Sequence, residues 1–172
     1  MAPVAEDGAR IGTPRLVLRR PRPDDLAGLH VIMKDPRVMR YWSTPEHETL
    51  DQTRAYLDRL LETPEGDEFI LEHDGQVAGK AGAWRAGEIG YLLDARLWGQ
   101  GLAREALEAL IPWLFAHHDW PELTAEIDPR NLASHRLLER LGFRVTHAAT
   151  RTLLWRDEWC DSLYLALPRP AA

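Results

Sequence analysis

Apolar and polar positions change their period several times along the chain, and each change marks an element. Leu16 to Arg19 is a short apolar run stopped by Pro21 and Pro23, which predicts a strand. Asp24 can cap a helix running to about Lys34, with Leu26, Leu29, His30 and Met33 on one stripe. After the breakers Asp35-Pro36 and Ser43-Thr44-Pro45, His47 to Leu61 predicts a second helix on a broken stripe of Leu50, Tyr56, Leu57, Leu60 and Leu61. A meander follows. Glu68 to His73 predicts a strand, Asp74-Gly75 a hairpin turn and Gln76 to Trp84 its partner strand. Ile89 to Leu93 is apolar enough for a strand buried on both faces.

The period then lengthens. Leu102, Ala106, Leu107, Leu110, Trp113 and Leu114 mark an amphipathic helix, in which Pro112 predicts a kink or an early end. Leu123 to Ile127 reads as a strand. Asp128 can cap the next helix with Pro129 at its first position; Leu137, Leu138 and Leu141 give its buried face, and Gly142 ends it. Arg144 to Trp155 and Glu158 to Leu167 predict a long hairpin turning at Asp157. The order β-α-α-β-β-β-α-β-α-β-β predicts a mixed central sheet of about seven strands flanked by about four helices, an α/β or α+β sandwich. Residues 1–172 make one domain, with Met1 to Gly12 and Pro168 to Ala172 expected to fray.

Composition narrows the function. A net charge of −6 and a pI near 5.6 disfavour a nucleic-acid binder, which needs a broad basic surface. All but Lys34 and Lys80 of the 21 basic residues are arginines, which we take as a compositional bias. Cys160 is the single cysteine, so no intramolecular disulfide or paired-cysteine zinc site can form. No metal site is expected, because the seven histidines lack ligand spacing and His117-His118 reads as a solvated helix end. No run approaches about 18 apolar residues, so no membrane span is expected. Met1 to Arg10 lacks the basic start and apolar core of a signal peptide, which makes a cytoplasmic protein the expectation.

The chemistry concentrates between Glu88 and Arg104, EIGYLLDARLWGQGLAR. A buried strand enters a loop containing Gly99 and Gly101, and the loop opens a helix. Glycines let a backbone approach a ligand closely, and the unpaired N–H groups of a helix start suit an anion such as a pyrophosphate. Arg104 sits in the first turn, where a cation opposes the helix dipole unless an anion is bound. Gly90, inside the buried strand, suggests a bulge or a close backbone approach. Ser134 lies three, four and seven residues before Leu137, Leu138 and Leu141, on their apolar face. Its hydroxyl must find a helix carbonyl or a ligand.

The run Trp98-Gly99-Gln100-Gly101-Leu102-Ala103, followed by Asn131 to Ser134 and Leu141-Gly142-Phe143, resembles the GNAT superfamily of acetyl-CoA-dependent N-acetyltransferases. The opening TPRLVLRRPRPDDL and the ending DEWCDSLYLAL are similar to its RimJ/RimL branch, which acetylates N-terminal amines of ribosomal proteins. The resemblance implies a GNAT-like sheet that splays after the Ile89 to Leu93 strand. It implies that the backbone at Leu92 and Leu93 binds the pantetheine arm of acetyl-CoA. The loop from Trp98 through Gly99, Gln100, Gly101, Leu102 and Ala103 to Arg104 would hold the pyrophosphate. Asn131 would contact the pantetheine arm, and Ser134 would lie near the sulfur and protonate the leaving thiolate. Three positions depart from the family pattern: Trp98 stands for Gln or Arg, Leu138 for a tyrosine acid, and Asp157 for a turn glycine.

Acyl transfer to an amine needs a neutral nucleophile, a stabilised oxyanion and a protonated leaving thiolate. The resemblance implies direct attack in a ternary complex, so Cys160 need not act as a nucleophile. A backbone N–H near Leu93 would polarise the thioester. Glu88 and Asp161 are the rival candidates for general base, each with a structural role as its alternative. Trp42, Trp84, Trp155 and Trp159 would flank the acceptor cleft. The expected partner is a primary amine, either a protein N-terminus or a small molecule, and the family implies a homodimer. The competing reading is a non-catalytic acyl-CoA-binding sensor or scaffold.

Overall fold

The computed structural model describes residues 8–62 and 67–171. The chain runs β1 (Arg10–Gly12), β2 (Val17–Arg19), α1 (Leu26–Met33), α2 (Pro36–Met39), α3 (Leu50–Glu62), β3 (Asp67–His73), β4 (Gln76–Arg85) and β5 (Glu88–Leu93). It continues α4 (Leu102–His117), β6 (Glu122–Ile127), α5 (Leu132–Arg140), β7 (Arg144–Trp155) and β8 (Glu158–Pro168). The strands form one sheet in the order β1-β2-β3-β4-β5-β6-β8-β7. Every neighbouring pair is antiparallel except β5 and β6.

Strand alternation sorts the core into two layers. Phe69 and Leu71 of β3 and Ile89 and Leu93 of β5 pack with Leu102, Leu107, Leu110 and Leu114 of α4 on one face. Ile70 of β3 packs with Leu29 and Leu57, and Leu92 of β5 with Ile32 and Met33, on the other face under α1 and α3. This arrangement is the expected α/β sandwich of a mixed sheet between helical layers. Asp74 and Gly75 turn the β3–β4 hairpin with φ of 49° and 74°, as the Asp-Gly pair predicts.

The structure corrects several local expectations. Arg10–Gly12 is not frayed but pairs with β2 as an added edge strand. The other end is also fastened, because the Arg169 N–H donates to the Pro121 carbonyl at 2.8 Å. Asp35 caps an additional short helix, α2, by accepting from the Arg37 N–H at 2.9 Å. Helix α4 neither stops nor shortens at Pro112 but continues to His117, held by the buried Leu110, Leu114 and Phe115. Asn131, not Asp128, caps α5; Asp128 accepts from the Arg130 N–H at 2.8 Å and closes the turn before it. The β4–β5 irregularity lies at Ala83/Arg85, so Gly90 is not a bulge. His118 is not a solvated end: it pairs with Asp67 and stacks on Trp120. Of the two ends expected to fray, residues 1–7 and 172 lie outside the described residues.

Candidate active site

The site starts from the one parallel neighbour pair. Strands β5 and β6 meet at Glu88 and Thr124, where the Thr124 N–H donates to the Gly87 carbonyl at 2.7 Å. No further register pair joins them among the described residues, so a gap opens beyond this point. Which backbone groups face it follows from the β4–β5 ladder. The Asp94 N–H donates to the Ala78 carbonyl at 2.8 Å. Antiparallel bonding alternates by two residues, so Leu92 and Gly90 commit their backbone groups to Lys80 and Gly82. Tyr91 and Leu93 turn theirs toward the gap. Leu92, expected to offer its backbone to a ligand, turns it to β4 instead. The Leu93 carbonyl accepts from the Trp98 indole N–H at 2.9 Å, which anchors the glycine loop to the strand.

Gly99 and Gly101 hold φ of 75° and 78°, a left-handed conformation that residues with a Cβ rarely adopt. Gly101 is the N-cap of α4 and supplies no capping side chain. The first intrahelical bond runs from the Glu105 N–H to the Gly101 carbonyl at 3.0 Å. The N–H groups of Leu102, Ala103 and Arg104 precede it, in the position that suits an anion. Leu102 is fully buried in the core, so only its backbone serves the loop. Trp98 is half exposed, and Gln100 contributes a carbonyl that accepts from Arg15 Nη1 at 2.9 Å. Arg104 pairs with Glu108 at 2.7 Å on the helix surface. Arg15, which sequence reading passed over, joins the loop to Glu105 at 2.7 Å. An open groove of about 600 Å³ lies there, bordered by Thr13, Arg15, Gly101 and Arg104.

On the same face of the sheet, Asn131 Oδ1 accepts from the Ser134 N–H at 3.2 Å. The Ser134 hydroxyl does not bond back to its helix but forms a short hydrogen bond with the Tyr91 hydroxyl. Burial pushes the Tyr91 phenol up to about 12, with the Ser134 bond acting in the opposite direction. Tyr91 was the missed member of this pair. Its signal was its two-residue spacing from Ile89 and Leu93, which puts a polar hydroxyl on an apolar face. Leu138, one of the three positions that depart from the pattern of the resemblance, is fully buried core.

The opposite face carries a cavity of about 840 Å³ lined by Trp42, Trp84 and Trp155 together with Tyr41 and Tyr56. Trp159 is not among its lining residues and instead lies half exposed under the Arg151 guanidinium. The cavity also borders Glu88, Ile89 and Gly90 of β5 and Glu126 and Ile127 of β6, so the strand gap lies in its wall. Glu88 accepts from Arg85 Nε at 2.7 Å. Asp161 Oδ1 accepts from the Arg151 N–H at 2.9 Å, where β7 is irregular and Arg151 has φ of 53°. Cys160 is buried and receives Arg130 Nη2 at 3.4 Å.

The cavity floor holds a fully buried ion pair. Lys80 Nζ donates to both Glu68 oxygens at 2.8 Å. Burial opposes the Lys80 charge, but the attraction of Glu68 and the hydrogen bond to Tyr56 outweigh it and raise its pKa. Among the described residues no cluster of His, Cys, Asp or Glu is placed to hold a metal ion. Among the described residues no helix is long and apolar enough to cross a membrane.

A gapped parallel strand pair, an uncapped glycine-opened helix and a paired hydroxyl on the strand beside the gap thus come together at one part of the sheet. The acetyltransferase (GNAT) domain matches residues 15–144 of the chain. The chain belongs to the GNAT acetyltransferase family. Its relatives include the uncharacterized N-acetyltransferase p20 of Bacillus licheniformis, 30% identical over 144 residues, which cover 77% of this chain and 80% of that protein. The [ribosomal protein uS5]-alanine N-acetyltransferase of Escherichia coli is 34% identical over 89 residues, covering 52% of this chain and 46% of that enzyme. The fold superposes on the ribosomal L7/L12 α-N-protein acetyltransferase RimL in complex with coenzyme A, with a TM-score of 0.83 and 19% identity over 93% of this chain and 98% of that one. The GNAT chain is thus an acetyl-CoA-dependent N-acetyltransferase, with acetyl-CoA as its co-substrate.

Proposed function

We propose that this GNAT enzyme transfers acetyl to a primary amine by direct attack within a ternary complex, and that the β5–β6 gap is where the two substrates meet. The observation that carries this reading is the gap itself. The Ser134–Tyr91 hydroxyl pair and the loop lie on one side of it, and the aromatic cavity lies on the other. Acetyl-CoA placed along the first side sets its pyrophosphate on the N–H groups of Leu102, Ala103 and Arg104, within the loop of Trp98, Gly99, Gln100 and Gly101. Its pantetheine arm runs beside the Tyr91 and Leu93 backbone, with Asn131 at the start of α5.

The thioester carbonyl then meets the Leu93 N–H, which stabilises the developing oxyanion. The amine enters from the cavity, attacks the carbonyl carbon and forms the C–N bond. Collapse breaks the C–S bond, and Ser134, backed by Tyr91, gives the thiolate its proton. Cys160 stays buried and takes no covalent part. A protein N-terminus and a small amine both fit the chemistry of the cavity. The reading places the enzyme in the cytoplasm, where a lone thiol stays reduced.

Incubation with acetyl-CoA and a mass-spectrometric panel of small amines and free-N-terminus peptides tests the reading. The expected result is a gain of one acetyl group by a primary amine, with intersecting lines in two-substrate kinetics. Acetyl-CoA binding without acetylation of any member would instead establish the sensor role, and parallel kinetic lines would establish an acyl-enzyme.

A further inference from the structure

Aromatic rings in a cavity serve either a cation or an apolar group. What already lies on the rings separates the two uses. Lys80 Nζ stands over the Trp42 ring at 5.4 Å from its centre, and the Arg85 guanidinium over Trp84 at 4.3 Å. Arg40, Arg59 and Arg156 lie 5.0, 5.6 and 5.1 Å from the ring centres of Tyr41, Tyr56 and Trp155. Among the described residues, each aromatic side chain that lines the cavity thus carries a positive group of this chain. A further cation brought to these rings meets charge of its own sign, whereas an uncharged group does not.

The acids of the cavity do not supply a second cation site. Lys80 bonds both Glu68 oxygens, and the two side chains are 2% exposed, closed to a ligand. Arg85 holds Glu88 and Arg130 holds Asp128. Glu126 and Asp161 stand on β6 and β8, on the gap side, where the reacting amino group arrives. Glu62 is exposed to water at the end of α3. On the other side of β5, an ammonium would shed its water and find no acceptor in exchange.

That other side is built to be apolar. Gly82 and Gly90 face each other across β4 and β5 and bear no side chains. Glu68 and Trp42 take up the room. A Cβ built on Gly82 would lie 2.6 Å from Glu68 Oε2, and one on Gly90 would lie 3.5 Å from Trp42 Cη2. Trp42 therefore lies over β5 beside the gap, and Tyr56, Leu60 and Trp84 continue the surface away from β6.

Resting on the acetyl-transfer reading, we propose that the acceptor is a primary amine whose other end is an uncharged alkyl or aromatic group, held against Trp42, Tyr56 and Trp84, and that the cavity rejects a second positive charge. The amino group points to the gap and the apolar end to α3 and β4. That end is the tail of a small amine or the first side chain of a peptide.

Amines of nearly equal length separate charge from shape in steady-state assays. The kcat/KM for hexylamine is expected to exceed those for cadaverine and δ-aminovalerate by at least about tenfold, and that for ethylamine by roughly 10²-fold. A leucine-first tripeptide is expected to exceed a lysine-first one in the same way, and this pair decides the matter if only peptides are acetylated. W42A is expected to lower kcat/KM for hexylamine about tenfold more than for ethylamine, chiefly through the amine KM. W84A, at a half-exposed position, gives the same comparison if W42A does not fold. Cadaverine, δ-aminovalerate or the lysine-first peptide turned over as fast as its apolar counterpart overturns this proposal and leaves acetyl transfer standing. Equal losses on hexylamine and ethylamine in the variants overturn the assignment to these rings. Acetylation of no amine or peptide overturns this inference together with the reading beneath it.

Discussion

Ser134 and Lys80 show how far single residues can be read. Ser134 stood out because its spacing put a hydroxyl on an apolar helix face. The structure gives that hydroxyl a phenol partner in place of a helix carbonyl. S134A is expected to lower kcat about 10²-fold with little change in acetyl-CoA affinity, as stopped-assay kinetics and calorimetry would show. Wild-type turnover in S134A would remove the hydroxyl from the reaction. Lys80 carried no sequence signal, since strand lysines are usually exposed. Here it is 2% exposed and bonded to both Glu68 oxygens. K80M leaves an unpaired buried carboxylate and is expected to cost about 3–5 kcal/mol in denaturant titration. The double variant K80M/E68L should recover much of that loss, because the uncompensated charge is gone. Tyr91 was passed over because its strand neighbours are apolar, and a sequence does not say which face of such a strand meets a partner helix.

At the level of elements, the glycine loop and the helix it opens were legible. Gly99 and Gly101 adopt the left-handed backbone their residue type permits. A side chain at Gly101 would have open space, its nearest neighbour being Arg15 at 3.7 Å, but the φ of 78° strains any residue with a Cβ. G101E also sets a carboxylate where the phosphates belong, so it is expected to abolish measurable acetyl-CoA binding by calorimetry; unchanged affinity would refute the assignment of the loop. Helix limits were less legible. Pro112 removes one backbone donor, yet α4 passes it because buried contacts on both sides hold the turn. The cap of α5 went to Asn131, since Asp128 was captured by Arg130.

Helices α1 and α3 are joined through Thr53, whose hydroxyl meets His30 Nδ1 at 2.7 Å and His47 Nδ1 at 2.8 Å. Burial first, then repulsion from His30 and Arg59, holds the His47 pKa below its ordinary 6.5. The unfolded chain therefore binds this proton more readily than the folded one. Its contribution to stability is complete above about pH 6.5 and is lost as pH falls through the lower folded value. Melting temperature should drop between about pH 7.5 and pH 5.5, and less steeply in H47N. Equal slopes in the two proteins would clear His47 of the effect.

Across the whole molecule, the chain's far end closes the fold. The Arg169 guanidinium donates to the carbonyls of Phe115 at 2.7 Å and Trp120 at 3.0 Å, and also to that of His118. It thereby ties the end of β8 to the last turn of α4, where a cation also complements the helix dipole. Charged hydrogen bonds of this kind contribute about 1.5–3 kcal/mol each, so R169A is expected to lower the melting temperature by several degrees in calorimetry. A shift below about 1 °C would mean that the end is dispensable.

The sequence by itself determined the layered α/β class, most strands and helices, the glycine loop and the family. These follow from local period and from residue types that act within a few positions of themselves. Tertiary structure decided which groups face the gap between β5 and β6, that Tyr91 meets Ser134, and that Lys80 is buried against Glu68. Each of those depends on strand register and on partners far apart in the chain. The pattern of apolar and polar positions carries no record of the register that brings such partners together.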